Sequence, residues 1–185
     1  MGLDMYLTKK TYVKNWKHNE KNGVPEWSVT VKKYGKKYDG LDTSKISCVE
    51  QEVITWRKAN AIHKWFVDNV QNGDDDCGVY HVETDALKEL MGICDEILSK
   101  VNLISGIVNN GYVVTNGVKK AIETEGSVID DPKLCEQLLP SSRGFFFGGT
   151  DYDQWYYQTV KNTRDVLKKE LEKDGYEDYY YSSSW

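Results

Sequence analysis

The stretch ALKELMGICDEILSK (86–100) places Leu87, Leu90, Met91, Cys94, Ile97 and Leu98 at intervals of three and four. That spacing puts them on one stripe of a helix, with charged residues opposite, and such a helix must lie on something apolar. A second helical pattern begins near Thr150, where Thr150 and Asp153 form a capping box, and runs to about Lys173. Its inner face is Trp155, Thr159, Val160, Thr163, Val166, Leu167 and Leu171. What these helices cover is signalled by short strands. LDMYLTKKTYV (3–13) and the alternating WSVTVKKY (27–34) flank a loop with Asn-Gly and a proline, and read as a hairpin. VYHVET (79–84) is a further strand, with Thr84 or Asp85 capping the helix behind it. GFFFGG (144–149) is another, with Phe145 and Phe147 on one face and Phe146 on the other. DPKLCEQLLP (131–140) is a short helix stopped by Pro140, and GYVVTNG (111–117) a strand ending in a turn. Strands and helices do not alternate regularly. The expected class is therefore α+β, an antiparallel or mixed sheet covered by several helices in a single domain. That domain spans 1–173, with 101–131 as an insertion and 174–185 as a Tyr/Ser-rich C-terminal tail that is either loose or packed on a neighbour.

With 185 residues and 39% hydrophobic content the chain is long enough for one real core. No apolar run reaches the ~18 residues of a membrane span, and MGLDMYLTKK lacks the apolar block of a signal peptide. A cytoplasmic setting follows as the expectation. Cys48, Cys77, Cys94 and Cys135 form no C-x-x-C pair, so they read as small buried side chains rather than a zinc site. Charge is divided: residues 1–64 hold 13 Lys+Arg and 7 Asp+Glu, while the remainder holds 11 and 22. Such asymmetry either marks a basic face for an anionic partner or is neutralised within the fold.

Residues 56–70, WRKANAIHKWFVDNV, read as the end of a helix that starts at Ser47 or Val49. On helical geometry Trp56, Asn60, His63, Val67 and Val70 fall on one line, with Arg57 and Lys64 beside it. Asn60 offers donor and acceptor, His63 is a neutral donor–acceptor near pH 7, and Arg57 is a five-donor fork. With Trp56 as a stacking plate, the set suits a flat heterocycle bearing phosphate or carboxylate. The competing reading is that Asn60 and His63 pin a helix to a strand through buried hydrogen bonds.

Arg143 and Tyr152, beside a Gly-Gly turn into a helix start, are second choices. Asp151 and Asp153 already serve that helix end. Neither nucleotide fingerprint is present. DDDC (74–77) near His63 or His81 matches no known metal loop, and neither metal nor cofactor is expected. No hydrolase motif appears. His63 is the best general base on offer, but no catalytic set is assigned. The basic stretch 9–37 carries nine lysines among Tyr12, Trp16, Trp27 and Tyr34. Single-stranded nucleic acid could bind such a surface, but a lysine-blunted hairpin edge is the preferred reading.

MGLDMYL, then WRKANAIHKWFVDNVQNGDDDCGVY, then LLP and GFFFGGTDYD resemble an uncharacterised protein family met in phages, prophages and their bacterial hosts. The resemblance spans roughly 1–100 and 134–172. It implies a phage accessory protein acting in the bacterial host cytoplasm, commonly against host defence. The leading expectation is a protein that sequesters a small anionic, nucleotide-like signal without turnover. Its ligand residues would be Trp56, Arg57, Asn60 and His63, with Arg143 and Tyr152 behind them, and a homo-oligomer partner could complete the pocket. The alternatives are a protein–protein inhibitor of a host defence factor and a nucleotide-processing enzyme with His63 as base.

Overall fold

In the computed structural model, residues 2–144, 146–173 and 177–185 are described, Lys119 by its backbone alone. The elements are β1 (Asp4–Tyr12), β2 (Lys32–Lys33), β3 (Lys36–Lys37), β4 (Cys48–Arg57), α1 (Asn60–Asn69), β5 (Val79–Val82), α2 (Thr84–Lys100), β6 (Leu103–Thr115), β7 (Val118–Ile129), α3 (Lys133–Leu138), α4 (Gln154–Leu171) and β8 (Asp178–Ser184). The class is α+β. The main sheet has the order β4-β1-β8-β5, every pair antiparallel, and two small hairpins, β2-β3 and β6-β7, stand outside it.

Strand alternation sorts the sheet's two faces. Met5, Leu7 and Lys9 of β1, Ile54 and Trp56 of β4, and Tyr179 and Tyr181 of β8 are buried, while Tyr6, Thr8, Lys10 and Tyr180 between them are partly exposed. The buried face carries the helices. Leu87, Leu90, Cys94 and Ile97 of α2 and Val160 and Leu167 of α4 join one cluster with Ile62 and Phe66 of α1. The apolar stripe expected for α2 is the one that is buried. No described helix is long and apolar enough to cross a membrane.

Several expectations change. The stretch from Ser47 to Arg57 is not helical. Its β-branched residues Val49, Val53, Ile54 and Thr55 favour extended backbone, and every second residue near its end reaches the core. Lys58 then turns the chain with φ +57°, and helix α1 starts only at Asn60. The line from Trp56 to His63 therefore does not exist, because its members sit on two elements. The hairpin expected between 3–13 and 27–34 is also absent. β1 pairs instead with β4 and β8, both distant in sequence, and residues 14–47 form a largely exposed excursion bearing β2, β3 and two short 3-10 turns, Lys17–Asn19 and Thr43–Lys45. Residues 178–184, set apart as a tail, form an inner strand inserted between β1 and β5. Their tyrosines and serines alternate so that Tyr179, Tyr181 and Ser183 face inward.

GFFFGG is not a strand. Phe146 and Phe147 lie in a bend, and the expectation for Phe145 falls outside the described residues. α4 is capped by Asp153 itself, whose Oδ1 accepts from the amides of Trp155 at 2.8 Å and Tyr156 at 3.2 Å. Thr150 lies outside the cap, Trp155 is exposed and Thr159 is half-buried. The turn after GYVVT is as expected: Asn116 and Gly117 both have positive φ, the two-residue turn that suits a tight hairpin. α3 also lies where expected.

Candidate functional site

A cleft of 630 Å³ opens where four segments meet: the β4–α1 junction, the loop 141–151, the start of α4 and the middle of β6. Its base is set by close packing. Gly148, at φ +90°, lies where an added Cβ would come 3.1 Å from the Lys58 side chain, so a larger residue would be both strained and crowded. Lys58 is itself held in the left-handed region, and its amide donates to the carbonyl of Leu3 at 2.7 Å.

That turn aims the start of α1 into the cleft. Its N-cap is Ala59, which has no side-chain acceptor to offer. The amides of Asn60, Ala61 and Ile62 find no acceptor among the described residues. Arg57 and Lys58 stand at the same corner. Arg57 is exposed, with Nε 3.6 Å from the Asp4 carboxylate, a loose contact in water. Helix end and side chains thus add positive potential from one direction. Asp151 and Asp153 also line the cleft, but Asp153 is committed to capping α4. Burial raises the Asp153 pKa, and the amides of Tyr156 and Trp155 offset only part of that rise. Trp155, 56% exposed, and Tyr112, 52% exposed, also line the cleft.

Of the six residues expected to form a site, only Arg57 and Asn60 line this cleft. Trp56 faces the core, 4% exposed, and its indole N–H donates to Thr163 Oγ1 at 2.8 Å. It cannot stack on a ligand. Asn60 is fully occupied with the protein. Its Nδ2 donates to the carbonyls of Phe147 at 3.1 Å and Gly149 at 2.7 Å, and its Oδ1 accepts from the Ser142 amide at 3.1 Å. This one amide therefore pins the 141–149 loop onto α1. His63 is 1% exposed, with Nδ1 2.8 Å from the Tyr181 hydroxyl and Nε2 3.0 Å from Asp75 Oδ2. Asp75 Oδ1 also accepts from the Trp185 indole at 3.0 Å. Together these bonds tie β8, α1 and the 71–78 loop. For Asn60 and His63 the structural alternative, pinning a helix, is what the geometry supports.

Arg143 is exposed and lies outside the cleft. Tyr152 is half-buried, its hydroxyl accepting from the Ser141 amide at 3.1 Å and its ring packed against Tyr156. Asp75 and Asp76 are engaged with different partners. Asp75 serves His63, while Asp76 accepts from the Gly78 amide and the Tyr80 hydroxyl, which lower its pKa.

The sequence reading missed Lys58, the free start of α1, and the Asn109–Tyr112 wall. The first two were hidden because a strand followed by a left-handed residue was read as continuous helix. The wall comes from a β-bulge that shifts register between Asn109 and Tyr112, which leaves no periodic signal.

No family model matches the sequence, and neither a curated protein nor a solved structure is similar to it.

Proposed function

We propose that the protein captures a small anionic ligand of nucleotide size in this cleft and holds it without turnover. The observation carrying this reading is the convergence of the uncapped start of α1 with Arg57 and Lys58 on one corner of a 630 Å³ cleft. That volume lies in the ~300–1,000 Å³ range of ligand pockets. Free amides at a helix start favour phosphate or carboxylate, and an arginine fork adds bidentate recognition. Trp155 replaces Trp56 as the plate on which a base can lie. The enzymatic alternative relied on His63 as base. That side chain does not line the cleft, and both ring nitrogens already have partners.

The setting rests on the resemblance to phage and prophage proteins. There the ligand would be a nucleotide signal of host defence, removed by sequestration in the bacterial cytoplasm. A second reading, inhibition of a host defence protein, draws on the β2-β3 hairpin. Lys32, Lys33 and Lys36 have no carboxylate within 4.0 Å among the described residues, and Tyr34 is 95% exposed. A complex made through this hairpin would weaken steeply with salt.

The test is a thermal-shift and calorimetric screen of nucleotides and cyclic nucleotides against the wild-type chain and Arg57→Ala. A ligand at a hundred times its Kd adds about 2.7 kcal/mol of stability. The expected outcome is a clear shift that Arg57→Ala reduces. Binding that is untouched by Arg57→Ala and by Trp155→Ala would move the site elsewhere. No binding by any nucleotide would sink the reading.

A further inference from the structure

We propose that β6 pairs antiparallel with β6 of a second copy of this chain across a two-fold axis, joining two β6-β7 hairpins into one four-stranded sheet. The inference goes beyond ligand capture and rests on how the chain treats its strand edges.

β6, LISGIVNNGYVVT, has thirteen residues and not one charge. Among the described residues its only strand partner is β7, so no strand covers its other edge. Open edges are normally short or studded with charge, because a row of unpaired N–H and C=O groups invites another strand. The other edges here follow that rule. β4 carries Glu50 and Glu52, and β5 is only four residues long. β7 carries Lys120, Glu123 and Glu125, and its base is already covered: Ile129 donates to the Tyr152 carbonyl at 2.9 Å, and Val128 bridges to Asp153. Among the described residues, β6 alone is long and uncharged with no strand on its outer edge.

Apolar side chains are exposed on both faces of β6. Ile104 is 50% exposed, Ile107 61%, Val113 46% and Val114 67%. A two-stranded ribbon is at best marginally stable by itself in water, and contiguous exposed apolar residues mark a contact surface. The whole chain exposes 12266 Å². A compact monomer of 21.3 kDa would expose about 9,000 Å². The surplus is several times the roughly 800 Å² per partner that a standard interface buries. Part of it belongs to the lysine-rich excursion 14–47, which water solvates well. The β6 share is apolar and is not.

A second copy fits this edge for two reasons. A two-fold contact uses one patch on both molecules, so no second dedicated surface is needed. Antiparallel pairing of a strand with itself also sets no like charges opposite each other when that strand has none. The bulge at Asn109–Tyr112 divides the pairing into a longer and a shorter segment. That same bulge lines the cleft, so the partner's strand would lie next to the ligand site.

The experiment is sedimentation equilibrium of the full chain over a wide concentration range. It is run beside Ile107→Lys and Val114→Lys, with Val79→Lys on β5 as a control at an equally exposed position. The wild type and the control are expected at twice 21.3 kDa. The β6 variants are expected at the single-chain mass with an unchanged circular dichroism spectrum. Hydrogen exchange gives a readout without mutation: β6 amides should exchange more slowly as concentration rises. A wild type that stays at the single-chain mass, a dimer indifferent to both lysines, a larger closed ring, or β6 exchange independent of concentration would each overturn the proposal. None of these readouts involves a ligand, so they stand or fall apart from the cleft.

Discussion

Lys58 holds a left-handed backbone conformation that costs an L-residue roughly 1–2 kcal/mol. Its place in the lining of the cleft ties that strain to the site. Lys58→Gly should therefore do two opposite things. It should raise the melting temperature by a few degrees, since relief of about 1 kcal/mol corresponds to roughly 2–4 °C in a chain of this size. It should also weaken anion binding by removing a cation. Differential scanning calorimetry with and without nucleotide reads both, and a fall in stability of the free protein would refute the strain argument. Lys9 is the other decisive residue. It lies on the buried face of β1, with Nζ 2.6 Å from Glu170 Oε1, a charge contact rather than an aligned hydrogen bond, and 2.8 Å from Glu177. Burial alone raises the Glu170 pKa, but Lys173 and Lys9 more than offset it and hold it below the ordinary value of 4.5. Stability from Glu170 is thus complete above 4.5 and is lost as pH falls through the lower folded value. For Lys9 burial lowers the pKa, yet Glu170 and Glu177 raise it above 10.5. Its contribution is complete below 10.5 and fades as pH rises through the folded value. Lys9→Met should cost about 3 kcal/mol at neutral pH, because it leaves the buried Glu170 with Lys173 alone and the half-buried Glu177 without the Lys9 charge. Denaturant melts at pH 7 and pH 4 should show that penalty shrinking in acid, where the carboxylates can neutralise. An equal penalty at both values would mean that lost packing, not charge, is responsible.

At the scale of elements, β8 shows how little composition says about burial. GYEDYYYSSSW reads as low-complexity tail, yet Tyr181 is fully buried and its ring stacks on Phe66 at 3.9 Å and 7°. Its hydroxyl meets His63, and its strand pairs on both sides with β1 and β5. Removing residues 178–185 should therefore abolish cooperative unfolding, since it strips an inner strand from the sheet and exposes the core. A truncated chain that still melts in a single sharp transition would contradict the assigned topology. The β4–α1 junction teaches the complementary lesson. Periodicity in 47–70 fits a helix with polar interruptions, but the strand half is held by pairing with β1, forty-odd residues earlier. Local pattern could not arbitrate, because short apolar runs serve both states.

At the scale of the molecule, the helices gather on one face of the sheet, and the remaining chain is spent on two projections. One, residues 14–47, is basic and well hydrated. The other, β6-β7, is apolar along an uncharged strand. This division explains why the net charge of the whole chain says little about any partner: residues 14–47 carry a net positive charge while the whole chain is net negative.

The sequence by itself determined the α+β class, the positions of α2, α3 and α4, and the turn at Asn116–Gly117. These are written in local periodicity, capping and turn chemistry, which act within a few residues. Only the tertiary structure decided that Trp56 points into the core, that Asn60 and His63 are bound by Phe147, Gly149, Tyr181 and Asp75, and that a C-terminal strand lies inside the sheet. Each of those depends on partners 80 or more residues away, apart from Asp75. A side chain that can grip a ligand is chemically the same as one that grips a distant backbone. What separates the two is which group lies beside it in the folded chain, and that is set by packing rather than by residue type.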